Sequence, residues 1–163
     1  MKCFECGAEM ISTVERYHYD ESGLPNVWLE NVEIRRCPNC GEEDVVIPRL
    51  DSLHRVLAEG LVRKPKRLTG AEVRFLRKTV GWSGKDLANL MHVDPATLSR
   101  WETGKENVGA QSDMLVRLLF VQAEPVRDYR VESLAEVDTS DEAVEVLVTV
   151  KHDGKTWTAA PAA

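Results

Sequence analysis

The sequence predicts an α+β protein of two small domains, and three patterns along the chain support this. Two Cys-x-x-Cys pairs enclose a loosely alternating stretch within positions 1–50. Short helices with apolar faces and capping residues fill positions 69–122, and a strict alternation returns near the C-terminus. We therefore predict a cysteine-containing β-hairpin domain at 1–50, a connecting helix and basic linker at 51–68, an all-α domain at 69–122, and a C-terminal extension with a second β-hairpin at 123–163.

Composition limits the classes of protein to consider. The 163 residues are 43% hydrophobic, which is enough for the cores of one or two small domains. No run of about 18 apolar residues occurs, and the first residues lack an apolar leader segment, so we expect neither a membrane span nor export. Four cysteines in such a chain indicate the reducing cytoplasm, where paired cysteines more often bind metal or perform redox chemistry than form disulfides.

Charge is distributed unevenly along the chain. Residues 61–105 carry 10 basic and 4 acidic side chains, whereas residues 1–50 and 121–163 each have a net charge of −5. The whole chain has a net charge of −6. A basic centre between acidic ends is typical of a modular nucleic-acid binder.

The four cysteines form two matching pairs, each followed by a glycine: Cys3 and Cys6 before Gly7, and Cys37 and Cys40 before Gly41. Two residues between thiolates allow both sulfurs to face one ion, and the glycine permits the positive φ of the turn. Four thiolates suit one structural Zn²⁺ per chain. The same ligands could hold iron in a rubredoxin-like electron carrier, and a thiol redox centre is the other alternative.

The spacer between the two cysteine pairs is predicted to be a β-hairpin. Residues 11–19 and 27–35 alternate loosely, and residues 20–25 between them are rich in turn formers. The cysteine pairs lie at the ends of this hairpin, which would bring them together. A domain this small gains much of its stability from its metal.

The N-terminal pattern resembles a known family. Met-Lys-Cys-x-x-Cys-Gly, a hairpin-sized spacer and then Arg36-Cys-Pro-Asn-Cys-Gly-Glu-Glu43 is similar to the YgiT-type zinc finger of MqsA-like antitoxins. In that family a zinc domain precedes a helix-turn-helix domain. The resemblance implies that the zinc domain binds a small ribonuclease toxin, and that a homodimer binds a palindromic operator in double-stranded DNA.

A connecting helix is predicted at 51–62, where leucines recur at three- and four-residue intervals: Leu50, Leu53, Leu57 and Leu61. Pro65 then interrupts a segment with four basic residues. We interpret this segment either as a solvated linker that permits motion or as a segment that contacts DNA phosphates.

Three capped helices follow the linker. Thr69 with Glu72, and Ser83 with Asp86, have the spacing of capping boxes, and Asp94 caps a third helix with Pro95 at its first position. A closing helix is predicted at 108–121, with an apolar face that includes three leucines, Leu115, Leu118 and Leu119.

The stretch Leu-Ala…Val-Asp-Pro-Ala-Thr-Leu-Ser-Arg-Trp-Glu-Thr-Gly resembles the Cro/repressor (XRE) type of helix-turn-helix. In such domains the third helix enters the major groove. The DNA-binding candidates are Lys85, Pro95, Ala96, Thr97, Ser99 and Arg100. Arg100 could bind guanine with two hydrogen bonds or contact a phosphate, while Thr97 and Ser99 contact DNA or bond locally.

The sequence departs from this resemblance at one position, and two further residues have expected roles inside the domain. Gly84 stands where many relatives have a glutamine that contacts DNA, so Lys85 could take over the phosphate contact. Trp101 is expected in the core, and Glu102 is expected to bond within the domain.

The C-terminal extension is predicted to form a hairpin. Residues 144–150 alternate strictly, Asp153-Gly154 suits a two-residue type I′ turn, and residues 155–160 form the returning strand. Residues 126–131 could add a third strand. An isolated hairpin is marginally stable, so it must pack on the helical domain, a second protomer or another partner.

No arrangement of residues suggests catalysis, because the four histidines lie in unlike contexts and no glycine-rich phosphate loop occurs. We do not expect an enzyme. We expect a sequence-specific DNA-binding transcriptional repressor and, by resemblance, the antitoxin of a type II toxin–antitoxin pair that autoregulates its operon. A stand-alone zinc-containing regulator is the alternative, and a rubredoxin-like or thiol redox protein is the second alternative.

Overall fold

The computed structural model describes residues 1–140 and 143–160 and has the α+β architecture that the sequence predicts. The strands are β1 (Ile11–His18), β2 (Val27–Arg36), β3 (Glu43–Val46), β4 (Val148–His152) and β5 (Trp157–Ala159). The helices are α1 (Leu50–Val62), α2 (Gly70–Thr79), α3 (Gly84–Met91), α4 (Pro95–Glu102) and α5 (Ala110–Ala123). Short 3₁₀ turns lie at Asp20–Ser22 and Val131–Glu136.

One mixed sheet joins the two ends of the chain. β1 and β2 form the predicted antiparallel hairpin, in which Ile11 lies opposite Arg36. Along its other edge, β2 pairs antiparallel with β3 over its C-terminal half and parallel with β4 over its N-terminal half. β5 completes the sheet beside β4. The C-terminal hairpin therefore extends the N-terminal sheet.

The core is continuous from the sheet to the helices. Leu53 and Leu57 of α1 are buried in the same cluster as Leu29 of β2 and Val150 of β4. α1 also contacts α2 and α5, so it links the sheet to the helical bundle. Leu50, at the start of α1, is exposed and does not join the leucine face that the sequence predicts.

The C-terminal extension differs from the prediction in the extent of its strands. Residues 144–147 alternate in sequence but form no strand. β2 begins at Val27, which pairs with Val148, so residues 144–147 have no β2 residue to pair with. The predicted strand at 126–131 is also wrong. Asp128 there has a left-handed φ of 56°, and the 3₁₀ turn begins at Val131.

The turn of the C-terminal hairpin also differs from the predicted type I′ Asp-Gly turn. Gly154 has a positive φ of 93°, but Asp153 does not, whereas a type I′ turn needs positive φ at both central residues. The Asp153 carboxylate instead accepts hydrogen bonds from the backbone N–H groups of Lys155 (2.8 Å) and Thr156 (2.7 Å). These bonds close a wider loop between His152 and Trp157.

The helical domain has the predicted caps. Both capping boxes are complete. The Thr69 and Ser83 hydroxyls accept hydrogen bonds from the backbone N–H groups of Glu72 and Asp86, and the carboxylates of Glu72 and Asp86 accept from the backbone N–H groups of Thr69 and Ser83. His92 ends α3 in the left-handed region, with φ 52°. Histidine tolerates this conformation better than most residues do.

The closing helix α5 corrects the prediction about its buried face. It begins at Ala110, and Leu115 and Leu118 are exposed. Asp113 and Arg117 are buried instead, each 1% exposed, and their carboxylate and guanidinium are 2.8 Å apart. Polar contacts to the linker explain why these two charged residues are buried.

The Arg117 guanidinium donates to three backbone oxygens of the linker, those of Val62 (3.2 Å), Lys64 (2.7 Å) and Lys66 (2.7 Å). The Asp113 carboxylate accepts from the N–H of Leu68 at 2.6 Å. The segment with Pro65, whose sequence permits motion without requiring it, is therefore held against α5.

The basic side chains of the linker are engaged within the protein. Lys64 is 4% exposed and forms an ion pair with the equally buried Glu72 at 2.8 Å. Arg67 is buried and donates to the carbonyl of Val108 at 3.1 Å, and Lys66 pairs with Asp138. Neither the solvated-linker interpretation nor the phosphate-contact interpretation describes Lys64 and Arg67, which are buried, whereas Lys66 is partly exposed.

Candidate metal centre and nucleic-acid interface

The four cysteines meet in one cluster whose sulfur atoms all lie within 4.8 Å of one another. The Cys3–Cys40 and Cys6–Cys37 sulfur pairs are 3.6 and 3.4 Å apart. A tetrahedral ion with metal–sulfur bonds of about 2.3 Å requires sulfurs about 3.8 Å apart, whereas a disulfide requires about 2.05 Å. The four thiols are free of disulfides and could hold one metal ion.

The same turn is repeated at both cysteine pairs. Gly7 (φ 73°) donates its N–H to the carbonyl of Cys3, and Gly41 (φ 79°) donates to that of Cys37, each at 3.0 Å. Because Cys37 directly follows Arg36, which pairs with Ile11, both turns lie at the same end of the β1–β2 hairpin. The hairpin thus brings the pairs together as predicted.

The surroundings of Cys6 favour a thiolate. The Asn39 side chain, the backbone at Ala8 and the Cys37 thiol, in that order, lower the pKa of Cys6 to about 6. Metal binding requires the deprotonated sulfur, which this environment favours at Cys6. At Cys40 the backbone at Glu42 lowers the pKa, but hydrogen bonds with the Cys37 and Cys3 thiols outweigh it and raise the pKa to about 12. Cys6 is exposed and Cys37 is buried, which places the cluster at the protein surface.

Helix α4 presents its predicted DNA-binding residues on one outer face. Asp94 caps the helix by accepting from the N–H of Ala96 at 2.7 Å. Leu98 and Trp101 are buried against the domain, as expected for Trp101. The outer residues Pro95, Ala96 and Ser99 are exposed, while Thr97 and Arg100 are partly exposed.

The start of α3 lies beside this face. Gly84, Pro95 and Ser99 line one surface cleft of about 330 Å³. Lys85, the residue after Gly84, is exposed. Arg74 of α2 lines the same cleft. Sequence reasoning missed Arg74, because only the packing of α2 beside α4 places it there.

Glu102 bonds within the domain, as expected. Its carboxylate binds the Arg77 guanidinium through two hydrogen bonds of 2.6 and 2.8 Å. Arg77 also donates to the carbonyl of Trp82 at 2.8 Å. This pair holds the C-terminal end of α4 to the end of α2.

Arg100 is held from both sides on the outer face of α4. Its Nε donates to the Glu106 carboxylate at 2.6 Å, and its Nη2 donates to the Thr97 hydroxyl at 2.9 Å. Thr97 therefore makes a local bond, and its hydroxyl hydrogen remains available as a donor. Sequence reasoning missed Glu106, which lies in the loop after α4.

Comparison with known proteins identifies the class of the helical part. Residues 69–120 match the family model of a helix-turn-helix domain. Neither the curated proteins nor the solved structures gave a match. Among the described residues, no helix is long and apolar enough to cross a membrane. The chain thus combines a helix-turn-helix domain, of the class found in DNA-binding regulators, with a sheet that carries a four-cysteine cluster.

Proposed function

We propose that this protein is a sequence-specific DNA-binding repressor that uses α4 to read its operator. The observation that carries the proposal is the outer face of α4, where Pro95 and Ser99 line one cleft with Gly84 at the start of α3, within a segment matching a helix-turn-helix domain. In helix-turn-helix proteins this helix contacts base edges in the major groove. Lys85 and Arg74 then contact flanking phosphates.

The metal in this proposal is one structural Zn²⁺ per chain, held by Cys3, Cys6, Cys37 and Cys40. Four sulfurs close enough to share one ion support it, because closed sites with four thiolates are typical of structural zinc. Its role is to join the N-terminal turn to the end of β2. Iron in the same site would give a coloured protein, whereas zinc is colourless. Colour therefore distinguishes the rubredoxin-like alternative from the zinc protein.

The finer proposal is that the repressor is an antitoxin. It rests on the resemblance of residues 1–43 to the YgiT-type zinc finger and on the net charge of −5 in residues 1–50. An acidic surface complements a basic RNA-cleaving toxin. The protein then acts as a homodimer on a palindromic operator upstream of its own genes.

A stand-alone regulator is the second candidate, and the C-terminal strands favour it. β4 and β5 build into the metal-binding sheet, so this domain is larger than the segment that resembles the zinc finger. In that case the sheet acts as a sensor domain, which binds a partner other than a toxin or responds to a change in the cell.

Native mass spectrometry on protein purified gently from its own source tests both candidates. A dimer with one zinc per chain and a small basic protein supports the antitoxin. A zinc-loaded dimer alone supports the stand-alone regulator. Selection of duplexes from a random DNA library by the full chain tests the DNA-binding role separately, and recovery of no preferred sequence would contradict it.

A further inference from the structure

The loop after α4 is fixed against Arg100 by both backbone and side chain. Gly104 turns the chain with φ 73°, and the N–H groups of Lys105 (2.9 Å) and Glu106 (3.3 Å) then donate to the Arg100 carbonyl. The Glu106 carboxylate returns to the same residue and accepts from Nε at 2.6 Å. The backbone of Arg100 thus positions Glu106, whose carboxylate binds the Arg100 side chain.

The remaining donors of Arg100 suit a base. A guanidinium has five N–H donors, of which Glu106 occupies one and Thr97 another. Within the described part of the chain, Nη1 has no hydrogen-bond partner. Guanine offers two acceptors, O6 and N7, in the major groove, and the guanidinium fork matches them.

We propose that Glu106 is a positioning residue that sets Arg100 for guanine readout and discourages its contact with phosphate. This inference rests on the proposed DNA-binding function. Thr97 holds the opposite side of the guanidinium, so the fork has a fixed direction before DNA arrives. Glu106 itself touches no base.

Charge explains why this arrangement favours guanine. The Glu106 carboxylate already offsets the charge of Arg100, so exchanging this carboxylate for a DNA phosphate would gain little binding free energy. The carboxylate is also repelled by nearby phosphates. Guanine O6 and N7 are neutral acceptors, so this repulsion does not apply to them. Both side chains are nearly half exposed, 43% for Arg100 and 47% for Glu106, so the pair adds little to folding stability.

The test is to select duplexes from a random DNA library with the full-length, metal-loaded protein. Binding of the selected duplex is then measured beside copies in which each guanine is replaced by adenine. The variants are Glu106→Gln, which keeps the reach but removes the charge, Glu106→Asp, which keeps the charge but shortens the reach, and Arg100→Lys. Glu136→Gln, an exposed acid after α5, is the matched control.

We expect one guanine whose replacement weakens the parent protein about tenfold or more. At that position Glu106→Gln and Glu106→Asp both lose most of the preference, and Arg100→Lys loses it too. Combining Arg100→Lys with Glu106→Gln adds no further loss. Glu106→Gln also binds non-specific duplex more tightly, with a salt dependence steeper by about 0.9 in the log–log slope.

The outcomes that overturn the inference are distinct from failure of the proposed function. If a preferred sequence is selected but Glu106→Gln keeps the full guanine preference, Glu106 has no positioning role. If Arg100→Lys weakens all duplexes equally, Arg100 binds phosphate and the inference is wrong. If the parent protein selects no sequence, the proposed repressor function is contradicted first. Unchanged thermal melting of the Glu106 variants confirms that these results reflect binding.

Discussion

Arg117 shows how a single buried side chain can fix the path of a whole segment. It donates to the Asp113 carboxylate and to three linker carbonyls, and its own side chain is 1% exposed. Buried backbone oxygens need hydrogen-bond donors, and arginine supplies several from one plane. The basic linker is therefore ordered by the helix that closes the domain.

We expect Arg117→Met to destabilise the protein by about 3–5 kcal/mol, because it leaves the buried Asp113 carboxylate without its ion-pair partner. Urea unfolding followed by circular dichroism measures this. Arg130→Met is the matched control, since Arg130 is exposed and its contact with Glu132 is long, 3.9 Å. A loss below about 1 kcal/mol for Arg117→Met would show that the network is not needed for stability.

Lys85 carries a second prediction at this scale. If it contacts a phosphate, Lys85→Ala weakens binding to all duplexes and reduces the log–log salt slope by about 0.9. Titrations at several salt concentrations measure the slope. Lys155→Ala removes an equal charge from the exposed turn of the C-terminal hairpin and should leave the slope unchanged. An unchanged slope for Lys85→Ala would exclude it as a phosphate ligand.

Residue patterns predicted the caps and the cysteine cluster but missed two charged residues on the buried face of α5. Leucine spacing placed Leu115 and Leu118 inside, yet Asp113 and Arg117 are buried there beside Val116 and Phe120. A charged residue is buried only when partners meet it, and these partners lie about 50 positions earlier in the chain. No local pattern contains that information.

Among the elements, α4 is positioned by more than its own sequence. A Cβ added at Gly70, the first residue of α2, would lie 1.6 Å from the carbonyl oxygen of Trp101. The two helices can therefore approach this closely only with glycine at that position. The sequence predicts a helix start there, but the closeness of the contact depends on the packed domain.

We expect the order of the two cysteine turns to depend on a metal ion held by the four thiolates. We expect chelation to raise amide hydrogen exchange strongly at residues 1–10 and 37–42, while α3 and α4 stay protected, because α1 and the C-terminal hairpin hold the rest of the sheet to the helices. Exchange measured by mass spectrometry, with and without chelator, tests this.

Cys6→Ser in the presence of zinc should reproduce the chelated pattern, since one ligand is lost. Ser12→Ala, an exposed change on β1, is the control. Increased exchange throughout α3 would instead mean that the metal supports the whole molecule.

At the scale of the whole molecule, the C-terminal hairpin ties the sheet to α1. Trp157 is buried, and its indole N–H donates to the carbonyl of Pro48 at 2.8 Å, just before α1. Asn31 of β2 donates to the carbonyl of His152 at 3.1 Å. These bonds join residues from the two ends of the chain.

We expect Trp157→Ala to cost about 3–5 kcal/mol of unfolding free energy, since it removes a large buried ring and a hydrogen bond. Thermal melting of the metal-loaded protein checks this. Thr158→Ala, the exposed neighbour on the same strand, should melt like the parent protein. Equal melting of both variants would mean that the hairpin contributes nothing to the core.

Sequence alone predicted that this hairpin exists and must pack on something, but not where. The parallel pairing of Val27 with Val148 depends on β2 having a free edge beyond β3, which appears only when the sheet is assembled. The helix-turn-helix was predictable because its caps and apolar spacings are local.

The parallel pairing of β2 with β4 also sets an order of events during translation. The ribosome makes β4 only after all five helices, so β2 must wait with an open edge while the DNA-binding half is completed. The sheet that carries the four cysteines is therefore the last part of the molecule to close, and a chain cut short after α5 would carry finished helices beside an unfinished sheet.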